Sequence, residues 1–173
     1  MDALPIAAVI SRQSGDADVV LSELATSLRF AGWRVRGLLQ EYQAAENRCQ
    51  IHLINLDDGT RYPITQNLGP GSESCRLDAS KIAEASGVMR RIADQGADLV
   101  IFNRFGGLES KGGGFCAEML TLMSLGIPVL AIVPANLLTE WRTFTGNYAV
   151  ELEPDITQLK RWFFLARNTQ QLG

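Results

Sequence analysis

Short uninterrupted apolar runs alternate along this chain with longer segments in which apolar residues recur every three or four positions, and few folds accept that alternation. Ile6–Ile10, Leu99–Phe102 and Val129–Val133 are continuous apolar runs of the kind that form strands covered on both faces. Between them, Val20, Leu21, Leu24 and Leu28 mark a helix that starts near Asp16 or Asp18 and closes at Ala31-Gly32. Ile82, Ala85, Met89 and Ile92 mark a second helix over 78–95, with Asp78 as its N-cap and Gly96 after its end. The segment 115–125 is apolar all round and must be buried on most sides, 137–144 reads as a short helix, and Ile156, Leu159, Phe163 and Ala166 predict a last helix over 155–167. Val35–Tyr42 and Ala149–Leu152 complete the strands. The pattern predicts an α/β fold of three layers, with a mostly parallel sheet and helices on both faces. Ile51–Asn55, the turn Asp57-Asp58-Gly59 and Arg61–Ile64 predict a β-hairpin insertion at a sheet edge. One domain is expected over 1–167, with 168–173 as a frayed tail.

Composition narrows the class further. The 173 residues carry a net charge of −3 and are 46% hydrophobic, which suits a globular core and excludes collagen-like, mucin-like and wholly disordered chains. An acidic balance without a basic run argues against nucleic acid as a partner. No apolar run is long enough to span a bilayer, and the start of the chain lacks a basic cluster, so a cytoplasmic protein is expected. Cys49, Cys75 and Cys116 are odd in number and widely spaced, as reduced thiols are, and the single His52 leaves no zinc-ligand set, so no metal site is expected from these residues. Among the cations, arginine outnumbers lysine 13 to 3.

In a doubly wound sheet, ligands bind beyond the carboxyl ends of the strands, which directs attention to residues 11–18, 103–114 and the irregular connection 66–78. The first loop sits where a phosphate-binding loop G-x-x-x-x-G-K-[ST] would sit, since such a loop follows a strand and opens a helix. The aligned residues are Ser11-Arg12-Gln13-Ser14-Gly15-Asp16-Ala17-Asp18, with Asp16 in place of a glycine, Ala17 in place of the lysine and Asp18 in place of the hydroxyl residue. An aspartate-capped turn and residual anion binding by Arg12 and the free N–H groups of the helix start both fit these residues. After Leu99–Phe102, Asn103-Arg104 occupies the position where a phosphate-loop nucleotidase carries magnesium-positioning acids. Arg104 there offers a planar fork of donors to phosphate, carboxylate or a tetrahedral oxyanion, unless it is a solvated loop residue or an ion-pair partner of Glu109.

Cys75-Arg76-Leu77-Asp78 precedes a helix start, a setting that favours a thiolate, with Arg76 beside it able to hold an anion; a small, partly buried thiol is the plainer alternative. No Ser/His/Asp or Cys/His set, glycosidase acid pair or G-x-G-x-x-G element is present. Trp162-Phe163-Phe164 cannot all face inward from one helix, so at least one lies at a helix boundary or a contact with a second protein or a second copy.

Asn103-Arg104-Phe105-Gly106-Gly107-Leu108-Glu109, Lys111-Gly112-Gly113-Gly114-Phe115, Gly126-Ile127-Pro128-Val129-Leu130, Cys75-Arg76-Leu77-Asp78, Ala97-Asp98-Leu99 and Trp141 with Phe144 together resemble a bacterial family of unknown function. That family is often encoded beside molybdenum transport genes and is related to the THEP-type nucleoside-triphosphatases of the P-loop class. The resemblance covers most of the chain and implies a P-loop-like fold and a nucleotide- or molybdenum-related role. It also implies that Glu109 is the one acid of the related enzymes' motif retained here.

Three functional readings follow. The first is a nucleotide- or oxyanion-binding module with a degenerate phosphate loop, not an efficient hydrolase, acting in molybdenum homeostasis. Its contacts to a small anionic ligand (nucleotide, phosphate or molybdate) would be Ser11, Arg12, Gln13, Ser14, Gly15, Asp16, Cys75, Arg76, Asn103 and Arg104. The second is a nucleoside-triphosphatase with altered metal ligands, in which Asp16 or Asp18 holds magnesium and Glu109 is catalytic; magnesium is a cofactor under this reading alone. The third is an adaptor with a vestigial site that binds a protein partner through its C-terminal aromatics.

Overall fold

A computed structural model describes residues 4–45, 48–66 and 77–171. In chain order the elements are β1 (Ile6–Ser11), α1 (Asp16–Phe30), β2 (Val35–Ala45), β3 (Arg48–Asn55), β4 (Arg61–Pro63), α2 (Ala79–Gln95), β5 (Leu99–Arg104), α3 (Gly107–Ser110), α4 (Cys116–Ser124), β6 (Val129–Pro134), α5 (Leu138–Thr145), β7 (Val150–Leu152) and α6 (Ile156–Gln171). A seven-stranded sheet runs β4-β3-β2-β5-β6-β1-β7. The pairs β2–β5, β5–β6, β6–β1 and β1–β7 are parallel, while β3 is antiparallel to both β2 and β4.

The two faces of the parallel strands explain their unbroken apolar sequences. On one face, Ala7, Val9, Leu99, Ile101, Leu130 and Ile132 meet Leu21 and Leu24 of α1 and Leu159 and Phe163 of α6. On the other, Ala8, Val100, Phe102, Val129 and Ala131 meet Ile82 and Met89 of α2, Met119 of α4 and Trp141 of α5. A strand buried on both sides has no solvent face to fill with polar residues. Asp78 caps α2 as its position implies, accepting a hydrogen bond from the Ser80 N–H at 3.0 Å.

Three features depart from the sequence-based expectations. The hairpin is part of a larger antiparallel extension: Val35–Gly37 pair with β5, whereas Leu38–Ala45 leave it and pair with β3. Gly37 makes the departure possible, because at φ 125° it lies against β5 so closely that an added Cβ would stand 2.2 Å from the Ile101 carbonyl oxygen. Within the glycine-rich stretch, α3 forms a single short helical element. Finally, α6 continues to Gln171, so residues 168–171 are helical where a frayed tail was expected.

Candidate functional site

The carboxyl ends of β1, β5, β6 and β7 share one edge of the sheet because all four run parallel and are neighbours. The turn after β1 is organised around one side chain. Asp16, the first residue of α1, folds its carboxylate back into the turn. Oδ1 accepts hydrogen bonds from Ser11 Oγ at 2.7 Å and from the Ala17 N–H at 2.7 Å, while Oδ2 accepts from the N–H groups of Arg12 at 3.1 Å and Gln13 at 3.2 Å. Partial burial raises the Asp16 pKa, but these donors outweigh it and hold the carboxyl below its usual 3.8. The N–H groups that a phosphate would use are thus turned inward onto a carboxylate of the same loop.

The end of β5 is bent by a β-bulge. Phe102 is in register with Ala131 and Arg104 with Ile132, so Asn103 is the extra residue. Strict alternation would send Arg104 to the face of Phe102; the bulge sends it instead to the α1 face, where Ile132 lies, and lets Phe105 enter the opposite core with Trp141. Arg104 there reaches Asp18, Nη2 to Oδ2 at 3.3 Å. Burial pushes the Asp18 carboxyl up, and the guanidinium only partly offsets that rise. Asp18 Oδ1 and Arg104 Nε are both buried without a hydrogen-bond partner. Arg104 is therefore not the partner of Glu109.

Arg12 and Asn103 are also engaged. Arg12 forms an ion pair with Glu153, just past β7. Asn103 is buried, and its Oδ1 accepts from the Gln40 N–H at 2.9 Å while its Nδ2 donates to Gln40 Oε1 at 2.6 Å. Those bonds serve the stretch of β2 that has left β5, so Asn103 is a peg between strands. Ser14 and Gln13 are exposed on the turn, and Gly15 precedes α1 in a left-handed conformation. Cys75 and Arg76 lie outside the described residues.

Glu109 is buried, and both of its oxygens accept backbone hydrogen bonds: Oε2 from the Gly106 N–H at 3.0 Å and Oε1 from the Phe115 N–H at 3.2 Å. It ties the two ends of the glycine-rich loop together. The fit is close enough that a Cβ on Gly114 would lie 2.3 Å from Oε1. Its backbone carbonyl also accepts from Cys116 Sγ at 3.0 Å. Burial, with Glu109 and Glu118 nearby, raises the Cys116 pKa and keeps that sulfur a thiol.

P-loop folds are associated with magnesium-bound nucleotides, so the donor set can be tested against that ion. Asp16 already accepts bonds from four donors, and a guanidinium stands at 3.3 Å from Asp18, where a cation between the two loops would have to compete with it. Among the described residues, no group of three or more His, Cys, Asp or Glu is placed to hold a metal. Of the oxygens of these two acids only Asp18 Oδ1 is without a partner, and with a guanidinium beside it the pair is a poor fit for magnesium.

Sequence reasoning missed Glu153 and Gln40. Glu153 had a usable signal: a strand pairing beside β1 brings the residue after its end to the turn after β1. Gln40 had none, because its role depends on where β2 departs from β5. At the other end of the chain, Trp162 and Phe163 are buried, whereas Phe164 is 43% exposed and edges Trp33 at 6.0 Å.

The parallel order, the turn from β1 into α1 and the edge at β5 define an α/β protein of the P-loop nucleoside-triphosphatase fold class. The fold matches the crystal structure of THEP1 from the hyperthermophile Aquifex aeolicus with a TM-score of 0.62, covering 85% of this chain and 88% of that one at 17% identity. The chain belongs to the family described as "Protein of unknown function (DUF2478)", whose model matches residues 6–162. It is also 32% identical over 160 residues to the molybdenum import ATP-binding protein ModC 2 of Bradyrhizobium diazoefficiens. That match takes in 91% of this chain but spans only 18% of the relative's length. Among the described residues, no helix is long and apolar enough to cross a membrane.

Proposed function

We propose that this chain is a P-loop-like binding module for a small anion, either the phosphates of a nucleotide or a tetrahedral oxyanion such as molybdate, and that it does not hydrolyse its ligand efficiently. The observation that carries the reading is the Asp16 carboxylate seated among Ser11 Oγ and the N–H groups of Arg12, Gln13 and Ala17. A loop that presents those donors to an internal carboxylate has the geometry to present them to an external anion once the carboxylate moves. Arg12 and Arg104 add charge on the same edge. The absence of a lysine at position 17 and the engagement of Glu109 in two backbone hydrogen bonds argue against efficient turnover. A role in molybdenum homeostasis is supported by the similarity to part of a molybdenum import protein.

A second reading, an adaptor with a vestigial site, is favoured by one fact: both arginines and donors of the loop already pair with carboxylates of the chain itself. Thermal melts of the chain and of Asp16→Ala with phosphate, ATP, GTP, molybdate and tungstate separate the two. An anion module is stabilised by at least one of these, more strongly in Asp16→Ala, without release of phosphate from ATP or GTP. Flat responses from both proteins overturn the module and leave the adaptor. Magnesium-dependent phosphate release would support the hydrolase instead.

A further inference from the structure

From the same edge we infer that Arg104 is the built-in cation of this site, so that an anion bound there is held without a divalent metal. The inference rests on the anion-module reading and concerns how the site neutralises charge. Three observations carry it. The β-bulge at Asn103 turns the next side chain toward α1, and the residue so turned is an arginine. That arginine sits at 3.3 Å from Asp18, a carboxylate on the first turn of α1, bridging the β5 end to the loop after β1. And the arginine is incompletely satisfied: Arg104 Nε is a buried donor with no acceptor, which is costly unless a ligand oxygen or a shift of the side chain provides one.

The charges dictate the ligand. A divalent ion placed between these loops would stand beside the guanidinium, and of the oxygens of Asp16 and Asp18 only Asp18 Oδ1 is without a partner to displace. An oxyanion, in contrast, is attracted by the Arg104 fork, which matches two oxygens of a phosphate or molybdate at once. Asp18 then acts as a brake: it holds Arg104 in place when the site is empty and competes with the ligand for the guanidinium. The ligand class is a metal-free oxyanion, which distinguishes this edge from one that takes a magnesium-nucleotide complex.

The test uses the whole chain and three probes, inorganic phosphate, molybdate and ATP, titrated by calorimetry in excess magnesium and in excess EDTA. For whichever probe binds, the dissociation constant is expected to be the same in both buffers. Asp18→Asn frees the guanidinium and is expected to tighten binding by about five- to tenfold. Arg104→Gln is expected to abolish it, and Arg104→Lys to leave weakened, still metal-independent binding; melting curves of each variant show that it is folded. Binding that requires magnesium, or that is unchanged in Asp18→Asn and in Arg104→Gln, overturns this inference while leaving the anion module in place. Absence of binding by all three probes to the chain and to both Asp16→Ala and Asp18→Asn overturns the module itself.

Discussion

Replacing Glu109 by alanine separates a structural acid from a catalytic one. In the structure each carboxylate oxygen accepts one backbone hydrogen bond, from Gly106 at 3.0 Å and from Phe115 at 3.2 Å. Phe115 is buried, so its N–H finds no water when the carboxylate is removed, and leaving such a donor unsatisfied costs about 1–3 kcal/mol. The Gly106 N–H is half-exposed and can turn to solvent, so its loss is smaller, about 0.5–1 kcal/mol. Together with the void left beside Gly114, a loss of roughly 3 kcal/mol is expected. For a chain of this length that corresponds to a fall in melting temperature of roughly 6–12 °C. Glu109→Gln keeps an acceptor for one N–H but turns an amide NH2 toward the other, and should cost about half as much. Lys111→Ala, an exposed change one turn away, should stay within about 0.5 kcal/mol of the parent. Thermal melts followed by circular dichroism, alongside a phosphate-release assay with ATP and GTP, measure both consequences. A Glu109→Ala protein that melts within about 1 °C of the parent but loses magnesium-dependent phosphate release would refute the structural assignment.

Gly37→Ala should be the most damaging small substitution in the sheet, because the new Cβ would meet the backbone carbonyl of Ile101 at 2.2 Å at a φ that alanine resists. A loss of at least about 3 kcal/mol is expected, read as failure to express in soluble form or as rapid limited proteolysis. Asp16 predicts an acid-dependent difference. Its folded pKa lies below the ordinary 3.8, so the stability it contributes is fully present above that value and is lost as pH falls through the lower folded one. Melting temperatures of the parent and Asp16→Ala should differ at neutral pH, by about 1 kcal/mol in stability as for other helix-start acceptors, and converge only below pH 3.8. A constant gap down to the acid limit would show that the carboxylate's hydrogen bonds contribute nothing.

The layer order and the shared edge of the β1 and β5 ends were legible because both follow from patterns with a strict physical cause. A strand buried on both faces has to be apolar throughout, and Ile6–Ile10, Leu99–Phe102 and Val129–Val133 are. Once three such strands alternate with amphipathic helices, topology alone places the turn after β1 and the end of β5 on one edge. What could not be read was decided by contacts at long sequence separation. Arg104 looked like a neighbour for Glu109, five residues on, yet one bulged residue rotates it toward Asp18, 86 positions away. Glu109 was singled out only by the resemblance to the related triphosphatases, and the sequence held no sign of the contacts it makes, accepting from the Gly106 and Phe115 N–H groups at the two ends of the glycine-rich loop. The role of Gln40 was hidden for a related reason: with β3 on one side, it meets Asn103 rather than a β5 ladder on the other.

The charged groups of this edge are matched to one another: Asp16 satisfies the donors of the turn after β1, Arg104 stands at the end of β5, and Asp18 pairs with it. Each member of that pair is costly alone. Asp18 without Arg104 is a half-buried carboxylate with no counter-charge, and Arg104 without Asp18 is a guanidinium fork left without its carboxylate. Such coupled groups should behave non-additively: the double variant Asp18→Asn with Arg104→Gln ought to be more stable than the sum of the single losses predicts. A double-mutant cycle by thermal melting would give a coupling energy of about 1 kcal/mol or more if the pair is a unit. A coupling near zero would mean that Asp18 and Arg104 contribute to stability independently and are not a unit.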